Sequence, residues 1–239
     1  MNSDWQARTH MLMDDKQIEK LADARVLVTG LGGVGSWAAE HLARTGIGNI
    51  SIVDNDTITP SNINRQLPAL HSTIGKNKAE VLAKRLQDIN PALNLSLYDV
   101  FITEESLKQN IPLHDYDYVL DCIDTLTPKI NLIQACLNTE VPHISSLGSA
   151  GKTDPSAVKM ADISKSYNCT LGRMLRKRLH KINIYTGFKV VFSSEKTDRS
   201  KVVLEEGRNK KSNAGTISAL PSIFGAFMAA EAINHIRTH

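Results

Sequence analysis

Glycines, cations and carboxylates in the first half of the chain are spaced for work on a phosphate. The run GLGGVG sets Gly30, Gly32 and Gly35 in a GxGxxG register, with Gly33 added between them. Glycines let a backbone close on a phosphate, and a helix start behind them favours its negative charge. Asp54 stands 24 residues after Gly30, placed for a carboxylate to accept hydrogen bonds from ribose hydroxyls. Nicotinamide-dependent oxidoreductases share both features, so alone these point to an adenine nucleotide and to no particular reaction. The residues after Asp54 depart from that pattern. DNDTITPSNINRQ carries Asn62, Asn64, Arg65 and Gln66, and GKNKAEVLAKRLQDINP brings Lys76 and Lys78. Arg65 and Lys78 supply cations suited to a triphosphate, which a pyrophosphate-bridged cofactor does not demand. Asp124, in DCIDTLTPK, offers a hard oxygen to the Mg²⁺ that accompanies ATP.

These side chains meet only if the chain brings successive strand ends together. RVLVTG (25–30) reads as a short buried strand, and 34–45 has a helical period with Trp37, Ala38, His41 and Leu42 on one face. NISIVD (49–54), LNLSLYDV (93–100), YVLDCID (118–124) and PHISSLG (142–148) read as further strands, with helices over 76–89 and 128–138 between them. This β-α-β cadence predicts an α/β, Rossmann-like fold: a mostly parallel sheet with helices on both faces. In such sheets ligands bind beyond the carboxyl ends of the strands, where Gly30, Asp54 and Asp124 fall. Beyond residue 150 the rhythm changes. VKMADIS and FKVVFSS read as strands around a basic helix over 171–181, with Leu171, Met174, Leu175 and Leu179 facing inward. A Ser/Ala-rich helix over 217–236 closes the chain. The expected division is an ATP-binding region over 1–150 and a smaller α+β extension over 151–239, in one continuous body.

Composition excludes several classes. The chain has 239 residues, 41% hydrophobic and 22% charged, which is enough for a sizeable core and unlike a disordered or collagenous chain. Cys122, Cys136 and Cys169 make no CxxC pair, so neither a zinc cage nor a disulfide framework is expected. Cys122 and Cys136 read as buried and Cys169 as a free thiol. The start, MNSDWQARTH, has no apolar core, so no secretory signal is expected and the cytoplasm is the default location. Residues 212–230 carry no charge, but Asn213, Ser218, Pro221 and Ser222 make them too polar for a membrane span.

The charge is unevenly placed. Residues 1–172 hold 15 Lys/Arg against 20 Asp/Glu, whereas residues 173–211 hold 12 against 4. A basic segment on an acidic body suits a polyanionic partner. Arg173, Arg176, Lys177, Arg178 and Lys181 are the candidate nucleic-acid contacts.

GLGGVGSW, IVDNDTITPSNINRQ, GKNKAEVLAKRLQDINP and DYVLDCIDTLTPK together resemble the ubiquitin-activating-enzyme-like adenylyltransferases, the ThiF, MoeB and HesA group, strongly over residues 8–150. The resemblance implies activation of a carboxylate by AMP transfer. It implies that Gly33 contacts ATP, that Asp54 binds the ribose, and that Asn62, Arg65 and Lys78 meet the phosphates. It implies Mg²⁺ held by Asp124 near the α-phosphate, and a homodimer packed partly through the terminal helices. Members also use an arginine near the N-terminus that often reaches the partner's site. Arg8, in ARTHML, is the match here, while Trp5 stands where such an arginine is common.

Two branches compete. Activators of ubiquitin-like sulfur-carrier proteins typically carry two CxxC pairs, which this chain lacks. The tRNA threonylcarbamoyladenosine dehydratase branch is similar in GGVGSWAAEHLARTGIG, KVVFSSE and GTISALPSIFGAFMAAEAI, and LGRMLRKRLHK occupies the place of its basic helix. That likeness implies an acyl-adenylate on a tRNA-borne threonine carboxylate, then closure by the neighbouring ureido group without any cysteine nucleophile. It leaves open a monovalent cation (Na⁺ or K⁺) and a sulfur-transfer or sulfur-acceptor protein partner.

Overall fold

The computed structural model describes residues 4–197, 202–203 and 213–239. Short helix α1 (Ala7–His10) and α2 (Asp15–Asp23) lead into β1 (Arg25–Thr29), α3 (Gly35–Thr45) and β2 (Asn49–Val53). Then come α4 (Lys78–Ile89), β3 (Asn94–Tyr98), α5 (Glu104–Asn110), β4 (Tyr118–Asp121), α6 (Leu126–Asn138) and β5 (His143–Ser146). The chain continues through β6 (Val158–Asp162), α7 (Thr170–Leu179), β7 (Lys189–Ser193), the short pair β8 (Val202–Val203) and β9 (Asn213–Ala214), and α8 (Ala219–Thr238).

Seven strands form one sheet in the order β3-β2-β1-β4-β5-β7-β6, parallel except for the antiparallel edge strand β6. The sheet takes strands from both sides of residue 150. Its inner strands are short apolar runs because both faces are covered. Val26 and Val28 point to the layer of α3, α4 and α8, while Leu27 points to the layer of α5 and α6. Tyr118 and Leu120 part from Val119 in the same way. Strand order reverses between β1 and β4, so a crevice opens beyond their carboxyl ends.

The strands and helices stand where the periodicity puts them, with ends displaced by one to three residues: the strands are shorter, while α6 starts two residues earlier and α8 ends two residues later than expected. β2 stops before Asp54 and β4 before Asp124, which leaves both carboxylates on loops. α5 was not foreseen: Thr103 caps it by accepting from Ser106 N. The buried face of α3 is Ala38, Ala39, Leu42 and Ala43, with Trp37 and His41 only half-buried. Met174 of α7 is 47% exposed rather than inward, and the helix gives way at His180 to a 3-10 turn ending in left-handed Asn183. α8 is apolar nearly all round and buries Leu220, Phe224 and Met228 against the α3 side of the sheet. Among the described residues no helix is long and apolar enough to cross a membrane.

A carboxylate clamps α3 to α4. Glu40 is buried and receives Arg85 Nε at 2.5 Å from α4 and Arg44 Nη2 at 2.8 Å from its own helix. Burial opposes ionisation, but the hydrogen bonds from Arg85 and Arg44 outweigh it and hold the carboxyl below the usual glutamate range. A carboxyl pKa lowered by folding adds stability that is present above the unfolded pKa and lost as pH falls through the folded one. Glu40→Gln should therefore cost about 1–3 kcal/mol at neutral pH. The deficit should shrink below about pH 4.5, which urea melts across that range would read.

Candidate functional site

The turn after β1 is built by backbone that tolerates no side chain. Gly30 has φ +79°, and a Cβ on Gly35 would lie 1.9 Å from Gly30 O. Chain closure this tight sets the start of α3 directly behind the turn, an arrangement that suits a phosphate. Arg65 and Pro221 close over the turn. A Cβ on Gly33 would stand 2.9 Å from Pro221 Cβ and 3.3 Å from Arg65 Cγ.

Asp54, one residue past β2, is tied to this turn. Its Oδ2 accepts from Leu31 N at 2.6 Å and its Oδ1 from Asp56 N at 2.9 Å. Burial pushes the Asp54 carboxyl above the ordinary aspartate range, while Lys78 and the two N–H groups pull it back.

Lys78 is the first residue of α4, whose cap is Asn77 accepting from Glu80 N at 3.1 Å. A cation there sits at the positive end of the helix dipole, which is unfavourable without an anion. Here the anions are Asp56 Oδ2 at 3.0 Å and Asp54 Oδ1 at 3.5 Å, and the lysine side chain is 4% exposed. Asp56 itself is 69% exposed and free to yield the ammonium to an incoming polyanion.

The SNINR segment supplies the second cation. Arg65 is half-buried, and its Nη1 donates to Ser61 O and Asn64 Oδ1, both at 2.8 Å. Asn62 Oδ1 accepts from Thr59 N, and Asn62 O accepts from Arg65 N and Gln66 N, so Asn62 shapes the turn that presents Arg65. Asn64 Nδ2 reaches Thr216 O, which anchors the segment to the chain leading into α8. Leu67 N donates to Ser36 Oγ and anchors it to α3.

Beyond β4 the chain passes close under the glycine turn, and Asp124 lies exposed on that loop. Behind it Asp121, Lys129 and Ser145 form a buried cluster: Lys129 Nζ lies 2.6 Å from Asp121 Oδ2 and 2.9 Å from Ser145 Oγ. Asp121 Oδ1 accepts from Ile123 N at 3.2 Å, which fixes the start of the Asp124 loop.

The profile of the ThiF family matches residues 6–239. The chain belongs to the ThiF family. It is 41% identical over 207 residues to a tRNA threonylcarbamoyladenosine dehydratase of Bacillus subtilis, covering 86% of this chain and 79% of that protein. It matches the crystal structure of the E. coli tRNA threonylcarbamoyladenosine dehydratase in complex with ATP with a TM-score of 0.89 and 33% identity. That match covers 99% of this chain and 96% of the E. coli one. The molybdopterin-synthase adenylyltransferase of E. coli is 36% identical over 127 residues, 53% of this chain and 50% of that protein.

Within this ThiF-family fold the glycine turn, Asp54, Asn62, Arg65, Lys78 and Asp124 stand around one crevice. Arg8 does not join them. It is exposed on α1, two residues after Gln6, whose amide lies against Gly46 at the far end of α3. The five predicted nucleic-acid cations also separate. Arg173, Lys177, Arg178 and Lys181 are exposed, whereas Arg176 is half-buried and donates to Ser166 Oγ.

Gln66 was missed as a site residue. It is buried beside Gly32, and its Oε1 has no hydrogen-bond partner among the described residues. A buried amide oxygen without a partner is uncommon in a folded protein, and this one lies beside the glycine turn. Lys152 was also missed. Its buried Nζ donates to the main-chain oxygens of Ser193, Glu195 and Asn168, at 2.6, 3.0 and 3.1 Å, the ligand type that Na⁺ or K⁺ would take.

The cysteines offer no ready nucleophile in this crevice. Burial raises the thiol pKa of Cys122 and of Cys136 far above the ordinary value. Cys169 is buried and accepts from Gly148 N and Gly172 N, both at 3.3 Å.

Proposed function

We propose that this chain is an ATP-dependent tRNA threonylcarbamoyladenosine dehydratase. The observation that carries the reading is the convergence of Lys78, Arg65 and the glycine turn on one crevice at the strand-order reversal. The dehydratases of Bacillus subtilis and E. coli support the substrate.

The residues fit ATP. Asp54 faces the turn with both carboxylate oxygens accepting main-chain N–H donors, which fixes the carboxylate beside the turn, where ribose hydroxyls would meet its remaining lone pairs. Gln66 Oε1 awaits a donor. Among the described residues no group of three or more His, Cys, Asp or Glu side chains could cage a metal. Mg²⁺ bound through one carboxylate and the substrate's phosphates needs no such cage, and Asp124 is that carboxylate. When bound, the ion neutralises charge on the phosphates.

In our mechanism the threonine carboxylate of the modified adenosine attacks the α-phosphorus of ATP. A P–O bond forms, the bond to the β-phosphate bridge breaks, and pyrophosphate leaves. Lys78 and Arg65 offset the charge that develops on the phosphate oxygens. The ureido nitrogen of the same nucleoside then attacks the activated carbonyl, loses its proton, and expels AMP. Both reacting groups belong to one nucleoside, so ring closure is intramolecular, and effective molarities of ~10⁵ M or more apply. The nucleoside loses one water overall.

We read residues 151–239 as an extension of the nucleotide-binding body that carries the RNA contacts. We also infer a homodimer: Arg8 lies remote from the glycine turn of its own chain, as an arginine serving the partner's site would. Three unpaired cysteines suit the cytoplasm.

Incubation with ATP, Mg²⁺ and threonylcarbamoylated tRNA should convert the nucleoside to a species lighter by one water, read by mass spectrometry. ATP–pyrophosphate exchange that required a Gly-Gly-ended carrier protein and ignored tRNA would instead establish the sulfur-carrier reading.

A further inference from the structure

The exposed face of α7 is a cationic strip with an apolar end. Arg173, Lys177 and Lys181 recur every fourth residue with Met174 and Arg178 beside them, and no acidic residue interrupts 173–188. Arg173, Lys177 and Arg178 on α7 and Lys181 in the turn after it put four exposed cations within nine residues, ~12 Å of chain at helical rise. Phosphates alone make no use of Met174, nor of the apolar and aromatic side chains at the turn past the helix.

Tyr185 on that turn is 54% exposed, and its ring centroid lies 4.8 Å from that of His180 with the planes tilted by 34°. Ile182 beside them is 40% exposed. An aromatic side chain left half in water is ordinarily a cost, and a mobile loop would let it collapse onto the core. This loop is held at both ends. Asn183 takes a left-handed turn at φ +61°, and Ile184 N donates to Leu179 O at 3.0 Å. Gly187 N donates to Asp162 Oδ2 at 2.9 Å, and Ile163 N donates to Phe188 O at 3.1 Å. Although partial burial opposes it, hydrogen bonds from Ser164, Gly187 and Thr186 hold the Asp162 carboxyl down to about 2, so this tie stays ionised at working pH. Tyr185 is thus presented in advance, and little conformational freedom remains to be lost on binding.

We propose that Tyr185, backed by His180, is a stacking platform for an unpaired base of the tRNA whose phosphates lie on the α7 cations. The proposal rests on the tRNA reading above. RNA recognition commonly pairs a basic surface that tracks the backbone with aromatic rings that stack splayed bases. The stacked base is not the one being modified. The N-terminal end of α7 reaches Gly148, just past the carboxyl end of β5, whereas Tyr185 precedes β7 at the opposite edge of the sheet. The helix alone separates them by ~15 Å. Tyr185 is accordingly a positioning residue for substrate and not a catalytic one.

The test uses the full-length protein, threonylcarbamoylated tRNA, and binding measured across a salt series. Tyr185→Ala should weaken binding by about 5- to 150-fold, from the usual worth of one stacked base. It should leave the slope of log K against log[salt] unchanged, because no ionic contact is lost. KM for tRNA should rise with kcat little altered, and Tyr185→Trp should restore affinity while its added fluorescence is quenched by the RNA. Lys177→Glu with Arg178→Glu should instead flatten the salt slope. An unchanged melting temperature and ATP affinity for Tyr185→Ala exclude a folding defect. If Tyr185→Ala binds like the parent at every salt concentration while the charge reversal weakens binding, the platform is refuted and the tRNA reading stands. If the parent does not bind tRNA at all, both fall.

Discussion

Lys78→Ala is expected to lower AMP formation from ATP by about 10²- to 10³-fold, the usual cost of removing one preorganised donor from a developing anion. The ammonium is buried at the start of α4, 3.0 Å from an exposed aspartate that a phosphate can displace. Its placement at the positive end of a helix makes little sense as a stabilising device, since the dipole opposes it. It makes sense as a charge reserved for a polyanion. Stability should respond as well. Asp54 loses the cation that offsets its burial, so its carboxyl pKa, already raised by that burial, rises further. A carboxyl whose pKa is raised on folding destabilises the native state when ionised, and that penalty disappears as pH falls through the folded pKa. The Lys78→Ala protein should therefore show its stability deficit at neutral pH and recover toward the parent on acidification. Pyrophosphate release within threefold of the parent's would remove Lys78 from the reaction.

The crevice was legible because local chemistry decides it. Glycines at 30, 32, 33 and 35 after a β-branched run leave few alternatives to a strand, a tight turn and a helix. Asp54 and Lys78 follow from the same unit, since each stands at the end or start of an element with clear periodicity. Lys129 did not. A lysine in a helix reads as a solvated charge, and its burial is decided by Asp121 on β4 and Ser145 on β5, which sequence does not pair with it. Gln66 was hidden for a related reason: it lies in a loop without periodicity, and its significance is an unpaired oxygen visible only in three dimensions. On α7 the period was right but the roll was not. Leu175, Leu179 and Gly172 take the buried side, which turns Met174 outward and Arg176 toward Ser166. A moderate change in roll costs the helix nothing locally, so only tertiary packing selects it. The direction of β6 was likewise open, because its alternation is the same in a parallel or an antiparallel strand.

The buried cluster behind the Asp124 loop sets up the second large effect. Lys129 Nζ has donors committed to Asp121 Oδ2 and Ser145 Oγ, and Ser145 Oγ donates onward to Asp121 Oδ2 at 2.7 Å. Both charged side chains are essentially sealed, at 0% and 1% exposure. Lys129→Met leaves the Asp121 carboxylate without its cation in the core and should cost about 3–5 kcal/mol, read from urea melts at neutral pH. Replacing the cluster together, as Asp121→Leu, Lys129→Met and Ser145→Ala, removes the uncompensated charge and should return most of that loss. Stability alone, then, gives a weak reason for keeping ions here. The stronger reason is that Asp121 Oδ1 holds Ile123 N and thereby the loop that carries Asp124. The triple variant should fold nearly as well as the parent yet form AMP more slowly, and raising Mg²⁺ should recover part of the rate. If the triple variant were stable and fully active, the cluster would not position the loop. If Lys129→Met alone cost less than about 1 kcal/mol, the ion pair would not be sealed as described.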